Sequence, residues 1–508
     1  MKEDNSMMID SEWWKLEDVY KKLEGKPLAQ MDEKVVARVK KCNDYLLDRI
    51  ATKGDTLYGV NTGFGSLANT RIDDDQLSDL QRRILISHAC GVGEEVPSEI
   101  VKSMMLLKAK ALGQGHSAVA LSTIQRIIDM LHEDVIPVVP RHGSLGASGD
   151  LAPLSHMVIP LIGEGHVRIK GDEPVHSSDM LDQMGWEPLN LGPKEGLALI
   201  NGTQLMLGYG VMALDRIKSI MSWADAIGAM SLESWNGLAS PFDDDIHRIR
   251  NQEGAREVAK SVRNWLKGSE RMQVPRDYVQ DPYSFRCIPQ VHGASRDVVL
   301  SAVELFENEV NAVTDNPLVF PDSDKVVSGG NFHGQPLALA LDRLALATHE
   351  IASISERRIF KLMGGTRGLP AFLAENPGLN SGFMIAQYTA ASLVSLNKQL
   401  VTPSSADNAD SSNGQEDHVS MGANAAIKLW DIVNHAEQVI AIEALAAAQA
   451  SDLQEAPAMS PRLASLKESL RNTAPYISED VYMKPMIDKA LEWIRHNNPE
   501  DISLHAAS

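Results

Sequence analysis

The sequence of 508 residues contains few cysteines, few aromatic residues and no long apolar run. Its three cysteines, Cys42, Cys90 and Cys287, are too few and too scattered for a disulfide framework or a cysteine-rich zinc site, so we expect reduced thiols. No apolar run approaches the roughly 20 residues that span a bilayer, which argues against a membrane protein. Aromatic residues make up 5% of the chain, whereas Ala, Leu and Met are abundant, and this composition favours helices over sheets.

Basic residues are also in deficit. The chain has 48 Lys and Arg against 68 Asp and Glu, a formal net charge of −20. A general nucleic-acid binder, or a protein that docks on anionic membranes, needs a basic face, and the sequence has no cluster of basic residues to form one. The opening residues, MKEDNSMMIDSEWW, are polar and acidic, unlike a secretory signal, so we expect a cytoplasmic protein.

Long segments of the second half carry the apolar periodicity of helices. They run from about Gln204 to Ser231, Gln335 to Arg358, Phe383 to Leu400 and Met421 to Gln449. Their length and their small Ala and Gly side chains predict a mainly α protein with a long helical bundle. We expect an N-terminal globular part, residues 1–203, and a helical bundle with C-terminal helices, residues 204–508, forming one interlocked protomer.

The N-terminal part is less regular. Shorter helical stretches and two β-prone pieces, near 135–139 and 166–169, alternate there with Gly-rich loops. The most unusual loop is Arg141–Pro153, RHGSLGASGDLAP. Its glycine spacing fits neither the dinucleotide fingerprint G-x-G-x-x-G nor the phosphate loop, which also requires a lysine. From this loop alone two interpretations are open: a flexible turn, or a loop with a chemical role of its own.

The more specific interpretation rests on Ala147, Ser148 and Gly149. Two small residues and a glycine let the backbone fold tightly, so that the amide nitrogen of Gly149 can attack the carbonyl carbon of Ala147. Loss of one water closes a five-membered ring, and loss of another from Ser148 leaves an exocyclic methylidene. The product, 4-methylidene-imidazol-5-one (MIO), is an electrophile, which no ordinary side chain provides.

Further motifs occur in order from about Tyr58 to about Gln449. They are YGVNTGFG, GSLGASGDLAPLSHM, NGTQ, QDPYSFRCIPQ, DNPLVF, SGGNFH, SERR, NSGFMIAQ and GQEDHVSM. Together they resemble the motifs of the aromatic amino acid ammonia-lyases, and most closely the histidine ammonia-lyase branch of that family. The resemblance implies a mainly α fold of the fumarase/aspartase-like (L-aspartase-like) superfamily, with a long central helical bundle. It also implies an MIO group made from Ala147-Ser148-Gly149 and elimination of ammonia from an L-α-amino acid.

The resemblance assigns roles to single residues. Tyr58 matches the family's catalytic base, and its pKa, ordinarily about 10, has to be lowered by a nearby cation or helix N-terminus for it to act at neutral pH. Arg286 matches the residue that clamps the substrate carboxylate with two parallel hydrogen bonds. Tyr283 is expected to contact the MIO group or the amine. Gln280 and Asn201 are expected to hydrogen-bond the carboxylate or the MIO group.

Other residues relate to the substrate ring. The Ser87-His88 pair resembles that of histidine lyases, because a histidine can exchange a hydrogen bond with an imidazole. Glu416 adds a carboxylate that binds the imidazole or assists proton transfer, and Phe332 is expected to line the ring pocket. The resemblance therefore predicts conversion of L-histidine to trans-urocanate and ammonia, the first step of histidine degradation.

Two departures from the family pattern leave the substrate open. Gln335 stands where relatives often carry Glu, and the loop Ser404–Gly414, SSADNADSSNG, lacks the hydrophobic and proline residues that many relatives show. The alternatives are an MIO lyase or aminomutase that acts on tyrosine, phenylalanine or a thiolated histidine.

Asp150 and His333 are expected to support the loop geometry and MIO formation.

The expected partners and cofactors are few. The resemblance implies a homotetramer in which each site draws residues from three subunits and binds a small amino acid; neither a nucleic acid nor a membrane is expected as a partner. Apart from MIO, no metal or nucleotide cofactor is expected. A zinc site is disfavoured because His142, His156, His333 and His418 show no HExxH or paired-ligand spacing.

Overall fold

The computed structural model describes residues 8–25, 30–53, 55–67 and 69–504, and helices predominate in them, as predicted. The helices are α1 Leu16–Glu24, α2 Glu33–Lys53, α3 Leu77–His88, α4 Ser98–Leu112, α5 Leu121–His132, α6 Leu151–Val158, α7 Ser177–Met184, α8 Glu195–Ile200, α9 Gln204–Ser234, α10 Asp244–Arg250, α11 Glu253–Leu266, α12 Tyr283–Arg286, α13 Ile288–Val310, α14 Gln335–Leu362, α15 Met384–Leu400, α16 Gly422–Leu453, α17 Pro461–Thr473, α18 Met483–His496 and α19 Pro499–Leu504. None of them is long and apolar enough to cross a membrane.

The strands are short and form small separate sheets. They are β1 Met8–Ile9, β2 Gln30–Met31, β3 Val92–Glu95, β4 Val135–Pro137, β5 Pro140–His142, β6 His166–Ile169, β7 Val175–His176, β8 Leu318–Phe320 and β9 Lys325–Val327. Strands β1 and β2 pair in parallel, whereas β3 with β5, β4 with β6, β6 with β7 and β8 with β9 pair antiparallel. The β-prone pieces near 135–139 and 166–169 are confirmed, as β4 and β6.

The long helical segments of the sequence are also confirmed. They correspond to α9, α14, α15 and α16, each of which begins within one residue of its predicted start. Three of these helices end three or four residues later than predicted. The apolar periodicity marks only the part of each helix that carries the stripe, and these three helices continue for about one turn beyond it. The last residue of a helix is therefore the least certain part of such a prediction.

The first compact unit takes the described residues up to Met212, Val303–Asp342 and Pro403–Ile427. Its core contains α4, in which every residue from Ile100 to Leu112 except Lys102 is buried. Helix α4 packs on α5, and α3, α6 and α8 pack on one another. The chain thus returns to this unit twice from the 204–508 part, and the loop with Ala147-Ser148-Gly149 connects β5 to α6 within it.

The second unit takes Ala213–Ala302, Arg343–Thr402 and the described residues from Lys428 onward. In it, buried polar side chains join three of the long helices. Ser231 of α9 donates a hydrogen bond of 2.7 Å to Glu443 of α16, and Arg358 of α14 donates to the same carboxylate at 2.5 and 2.9 Å. A buried carboxylate is stable only when such donors satisfy it, so this network fixes the register of the helices.

A glycine in α9 permits close packing of two helices in the first unit. A Cβ added at Gly210 would lie 1.9 Å from Cε1 of Phe306 on α13. We expect Gly210→Ala to lower the free energy of unfolding by about 1–3 kcal/mol, because the ring must move in a close-packed core. The change in apparent Tm measures the effect.

Gly228→Ala on the same helix is the matched control. A Cβ at Gly228 would meet no atom nearer than Cδ1 of Ile288 at 3.4 Å, an ordinary contact. Since alanine is the better helix former, this substitution should be neutral or stabilise by up to about 1 kcal/mol. Equal losses of Tm in the two variants would contradict the packing argument.

Candidate active site

Asp150 anchors the loop that carries Ala147-Ser148-Gly149. Its carboxyl group is fully buried, and one oxygen accepts the N–H groups of Leu205 and Met206, both at 3.0 Å, in the first turn of α9. The other oxygen accepts the hydroxyl of Ser144 at 3.1 Å. Burial raises the pKa of Asp150 to about 7, although these donors oppose the rise. The C-terminal side of the loop is therefore tied to the start of a long helix.

Gly149 occupies a position that no other residue fits. Its φ of 74° is in the left-handed region, and an added Cβ would lie 2.0 Å from the carbonyl oxygen of Gly202. The same oxygen accepts the N–H of Asp150 at 2.7 Å. The backbone segments 149–150 and 201–202 thus lie in direct contact, which places Asn201 beside the loop.

The N-terminal side of the loop is held by the segment before α16. The N–H of Met421 donates to the carbonyl of Leu145 at 2.8 Å, and the hydroxyl of Ser420 donates to the carbonyl of Gly146 at 3.0 Å. Ala147 is buried and packs against Met421. The three residues 147–149 are therefore fixed from both sides.

Ser148 points to two of the sequence-predicted residues. Its hydroxyl donates to Oε1 of Glu416 at 2.5 Å, and its carbonyl accepts Nδ2 of Asn201 at 2.8 Å. The Oδ1 atom of Asn201 is buried and has no hydrogen-bond partner among the described residues. Asn201 and Glu416 lie 53 and 268 positions after Ser148 in the sequence, yet both are hydrogen-bonded to it.

The loop Ser404–Gly414 orients Glu416. The hydroxyl of Ser411 donates to Oε2 of Glu416 at 3.0 Å, and the backbones of these two residues exchange hydrogen bonds of 3.0 and 3.2 Å. Farther along the loop, the amide of Asn413 donates to the hydroxyl of Ser66 at 3.3 Å, next to the segment that carries Tyr58. The loop therefore connects two parts of the site.

A cavity of about 1160 Å³ within the first unit brings most of the predicted residues together. Ser411 and Ser412 of the loop just described also line it. Gly149 is buried next to Ser148 and is not itself part of the lining. The predicted site residues that line the cavity are Tyr58, His88, Ala147, Ser148, Asn201, Phe332 and Glu416.

Tyr58 and His88 are both desolvated in this cavity. Burial raises the pKa of Tyr58, the carboxylate of Glu416 raises it further, and the N–H of Gly65, which donates to the phenol oxygen at 3.1 Å, opposes the rise. Within the described chain, the lowered pKa expected for this tyrosine is therefore not found. Burial lowers the pKa of His88, which favours a neutral imidazole. The hydroxyl of Ser87 lies 3.0 Å from its Nδ1 atom.

The remaining predicted residues form a separate cluster in the second unit. The guanidinium of Arg286 lies 4.5 Å from the centre of the Tyr283 ring and donates to Oε1 of Gln280. The side chain of Tyr283 is 70% exposed. Helical winding, which the spacing of these residues suggested, begins only at Tyr283 with the short helix α12. None of the cluster is among the residues that line the cavity.

Two residues that support the site were missed in the sequence. Lys108 of α4 is fully buried and donates to the backbone carbonyl of Asn201 at 2.8 Å; burial lowers its pKa to about 7. A lysine within the apolar run MMLLKAKAL was a usable signal, because lysine is rarely buried without a partner. Ser411, the partner of Glu416, lies in a polar loop in which no serine stands out.

Among the described residues, no group of three or more His, Cys, Asp or Glu side chains could hold a metal ion.

A model of the aromatic amino acid lyase family matches residues 14–472. The chain belongs to the aromatic amino acid lyase family. It is therefore a carbon–nitrogen lyase, and the resemblance seen in the motifs is confirmed. The histidine ammonia-lyase of Myxococcus xanthus is 44% identical to this lyase over 477 residues, which are 93% of this chain and 94% of that protein.

Solved structures of the family share its fold. The histidine ammonia-lyase of Trypanosoma cruzi superimposes with a TM-score of 0.89 at 39% identity, over 97% of this chain and 94% of that one. A tyrosine aminomutase from Streptomyces globisporus superimposes with a TM-score of 0.89 at 33% identity, over 98% of each chain. The helical aspartase/fumarase-like fold predicted for this lyase is thereby confirmed.

The raised pKa of Asp150 makes a prediction about stability. A carboxyl whose pKa in the folded lyase, about 7, exceeds its ordinary value of 3.8 binds its proton more tightly in the folded state. Its stabilising contribution is present below about pH 4 and is lost as the pH rises to about 7. We expect the apparent Tm of the wild type, relative to that of Asp150→Asn, to fall across this range.

Asp150→Asn is a suitable reference because its amide keeps the shape of the side chain and does not titrate. Asp150→Ala, in contrast, leaves two buried N–H groups unsatisfied, and should cost about 1–3 kcal/mol at every pH. A difference in Tm between the wild type and Asp150→Asn that does not change with pH would contradict the prediction.

Proposed function

We propose that this lyase eliminates ammonia from L-histidine to give trans-urocanate, the first step of histidine degradation. The observation that carries the proposal is the cavity that His88, Glu416, Tyr58 and Ser148 line together. A neutral histidine and a carboxylate can together hydrogen-bond both nitrogens of an imidazole. The name of the Myxococcus relative and its 44% identity point to the same substrate.

We further propose that Ala147, Ser148 and Gly149 cyclise to MIO. The residues present fit this group: Gly149 lies where a Cβ is excluded, the loop is fixed on both sides, and Oδ1 of Asn201 is a buried acceptor without a partner in the described residues. Asn201 would hold the ring through the carbonyl oxygen of Ser148, to which its Nδ2 atom now donates. Glu416 now accepts the hydroxyl of Ser148, which departs as water, so its Oε1 atom would be released for the substrate. The group supplies the electrophile that activates the amine for departure.

Tyr58 is the base in this proposal. It takes a proton from Cβ of the substrate, the electrons of that C–H bond form the Cα–Cβ double bond, and the Cα–N bond breaks to release ammonia. Since burial and Glu416 raise the pKa of Tyr58, the phenolate needs a cation close to it. Arg83 lines the cavity but is exposed and ion-paired with Asp79, and Arg286 does not line it in one chain, so we infer that the cation comes from another subunit.

His88 and Glu416 orient the substrate ring. Because the pKa of His88 is lowered, its imidazole is neutral at pH 7 and offers one donor and one acceptor. Ser87 is close enough to Nδ1 to select the tautomer, and Ser411 fixes the second oxygen of Glu416. Both ring-binding groups are thus preorganised, which reduces the entropy lost on binding.

We propose that the lyase is a homotetramer whose sites combine residues of three subunits. Gln280, Tyr283 and Arg286 form a cluster of their own, in which Gln280 and Tyr283 are exposed and Arg286 is half-buried. A guanidinium with two polar neighbours is suited to receive a carboxylate. Supplied by other subunits, they would complete the cavity. We also propose a cytoplasmic location, in keeping with the unpaired thiols of Cys42 and Cys90.

A modified histidine is the second candidate substrate. It is favoured by the loop Ser404–Gly414, because this polar loop lines the cavity with Ser411 and Ser412 instead of hydrophobic residues. An aminomutase reaction uses the same groups but returns ammonia to the β-carbon. Analysis of the products separates these possibilities from elimination of ammonia from L-histidine.

The first test is conversion of L-histidine by the purified lyase without added cofactor, followed by the ultraviolet absorbance of the conjugated product. Ser148→Ala should lower kcat/KM by at least about a thousandfold, because it removes the source of the electrophile. The intact wild-type chain should be lighter than its sequence by two water molecules, and the variant should not.

Ser222→Ala is the control for this test, because Ser222 is an exposed serine of α9 outside the cavity. It should retain both the activity and the loss of two waters. Activity of Ser148→Ala close to that of the wild type would refute the proposed chemistry. Conversion of another aromatic amino acid, but not of L-histidine, would refute only the substrate.

The second test is His88→Leu. Loss of its hydrogen bond to the substrate ring should lower kcat/KM for L-histidine by about tenfold or more, and should raise the activity on L-phenylalanine relative to L-histidine. His496→Leu, at an exposed position outside the cavity, is the control. If both variants keep the wild-type preference, His88 does not select the substrate.

A further inference from the structure

The segment that carries the proposed carboxylate clamp has little regular structure. Between the turn Arg271–Gln273 and α12 the chain forms neither helix nor strand, and the side chain of Val279 in its middle is 96% exposed. Arg286, Tyr283 and Gln280 lie in or next to this segment. Such a segment keeps a defined orientation only if side chains anchor it to the rest of the unit.

Arg367 anchors this segment through two of its residues. Its guanidinium lies between two rings, 3.6 Å from the centre of Trp235 and 3.5 Å from the centre of Tyr278. Its Nη1 atom also donates to Oδ1 of Asp281 at 2.6 Å, and the other oxygen of that buried carboxylate accepts the N–H of Leu238 at 2.6 Å. Tyr278 and Asp281 lie on either side of the exposed pair Val279 and Gln280 in the sequence. One guanidinium therefore holds the chain both before and after this pair.

The same stack of rings reaches the other end of the segment. Trp235, on one face of Arg367, stacks on Phe285 with ring centres 4.5 Å apart and planes 8° apart. Phe285 is fully buried and directly precedes Arg286. Asp281 before Tyr283 and Phe285 after it are therefore both held through Arg367, the first directly and the second through Trp235.

Arg367 is itself held in place. Its carbonyl accepts Nδ2 of Asn236 at 3.1 Å and Nε2 of Gln454 at 2.9 Å. Its side chain is only 15% exposed. A planar cation between two aromatic faces, with a carboxylate at its edge, is an arrangement that lysine cannot reproduce.

We propose that Arg367 is a positioning residue for Arg286, Tyr283 and Gln280, and through them for the carboxylate of the substrate. The inference rests on the proposed function, in which Arg286 binds that carboxylate. A two-point contact between a guanidinium and a carboxylate depends on the orientation of both groups, so a small displacement of the segment weakens it. Loss of Arg367 therefore acts first on substrate binding.

The test compares full-length Arg367→Met and Arg367→Lys with a matched control, Arg462→Met. Arg462 also lies over a tryptophan, at 3.9 Å from the ring centre of Trp265, and is ion-paired with Glu500, so its loss removes the same kinds of contact elsewhere in the unit. KM and kcat for L-histidine are measured together with the intact mass and the amide hydrogen exchange of residues 278–286.

Arg367→Met should raise KM by about tenfold or more, because it weakens the charge-assisted contact between Arg286 and the substrate carboxylate. The effect on kcat should be smaller. The intact mass should equal that of the wild type with the two waters lost, which shows that the loop 147–149 is unaffected. Exchange at 278–286 should accelerate. Arg367→Lys keeps the charge opposite Asp281 and should restore part of the binding. Arg462→Met should change neither KM nor this exchange.

Unchanged KM in both Arg367 variants, or equal effects of Arg367→Met and Arg462→Met, would overturn the inference. If Arg367→Met does not fold, the KM of Arg367→Lys relative to Arg462→Met decides. If the wild type converts a different amino acid, the proposed substrate is wrong. The same comparison with that amino acid then tests Arg367, because every α-amino acid carries the α-carboxylate. If no amino acid is converted, the proposed function fails, and unchanged exchange at 278–286 would also overturn the anchoring role.

Discussion

The buried carboxyl of Asp150 is the interaction on which the proposed site depends. It joins the end of a glycine-rich loop to the free N–H groups at the start of α9, and it does so in an interior where an unpaired N–H is costly. The close contact of Gly149 with Gly202 follows from this attachment. The same contact brings Asn201 beside Ser148, where its side chain donates to the Ser148 carbonyl.

Other parts of the cavity lining come from loops. Glu416 is oriented by Ser411 in a loop that contains no helix beyond short turns, and Tyr58 lies in a turn that is bonded to the same loop through Ser66 and Asn413. The electrostatics are unfavourable to a phenolate: burial and a carboxylate both raise the pKa of Tyr58. The cluster of Arg286 would correct this imbalance, which is a physical reason for the proposed assembly of sites from several subunits.

Much of the fold and part of the site could be predicted from the sequence. The periodicity of the apolar residues located α9, α14, α15 and α16, because a helix that buries one stripe repeats its apolar residues every three or four positions. The motifs identified Ser148, which shares a cavity with the equally predicted Tyr58. Lys108 and Ser411 were not found, since their roles consist of contacts with the backbone of Asn201 and with one oxygen of Glu416. The apolar run around Lys108 indicates a buried lysine but not its partner, and nothing in the sequence distinguishes Ser411 from the other serines of its loop.

The sequence by itself determined the family, the helical character and the residues available for chemistry, because these follow from local composition and from motifs of adjacent residues. Only the tertiary structure decided which of them meet. Ser148 and Glu416 are 268 positions apart yet hydrogen-bonded, whereas Arg286 lies in a different compact unit from either. The direction of the pKa shift of Tyr58 was also decided there, because burial and the nearest charge depend on the position of every neighbour in space and not on the order of the chain.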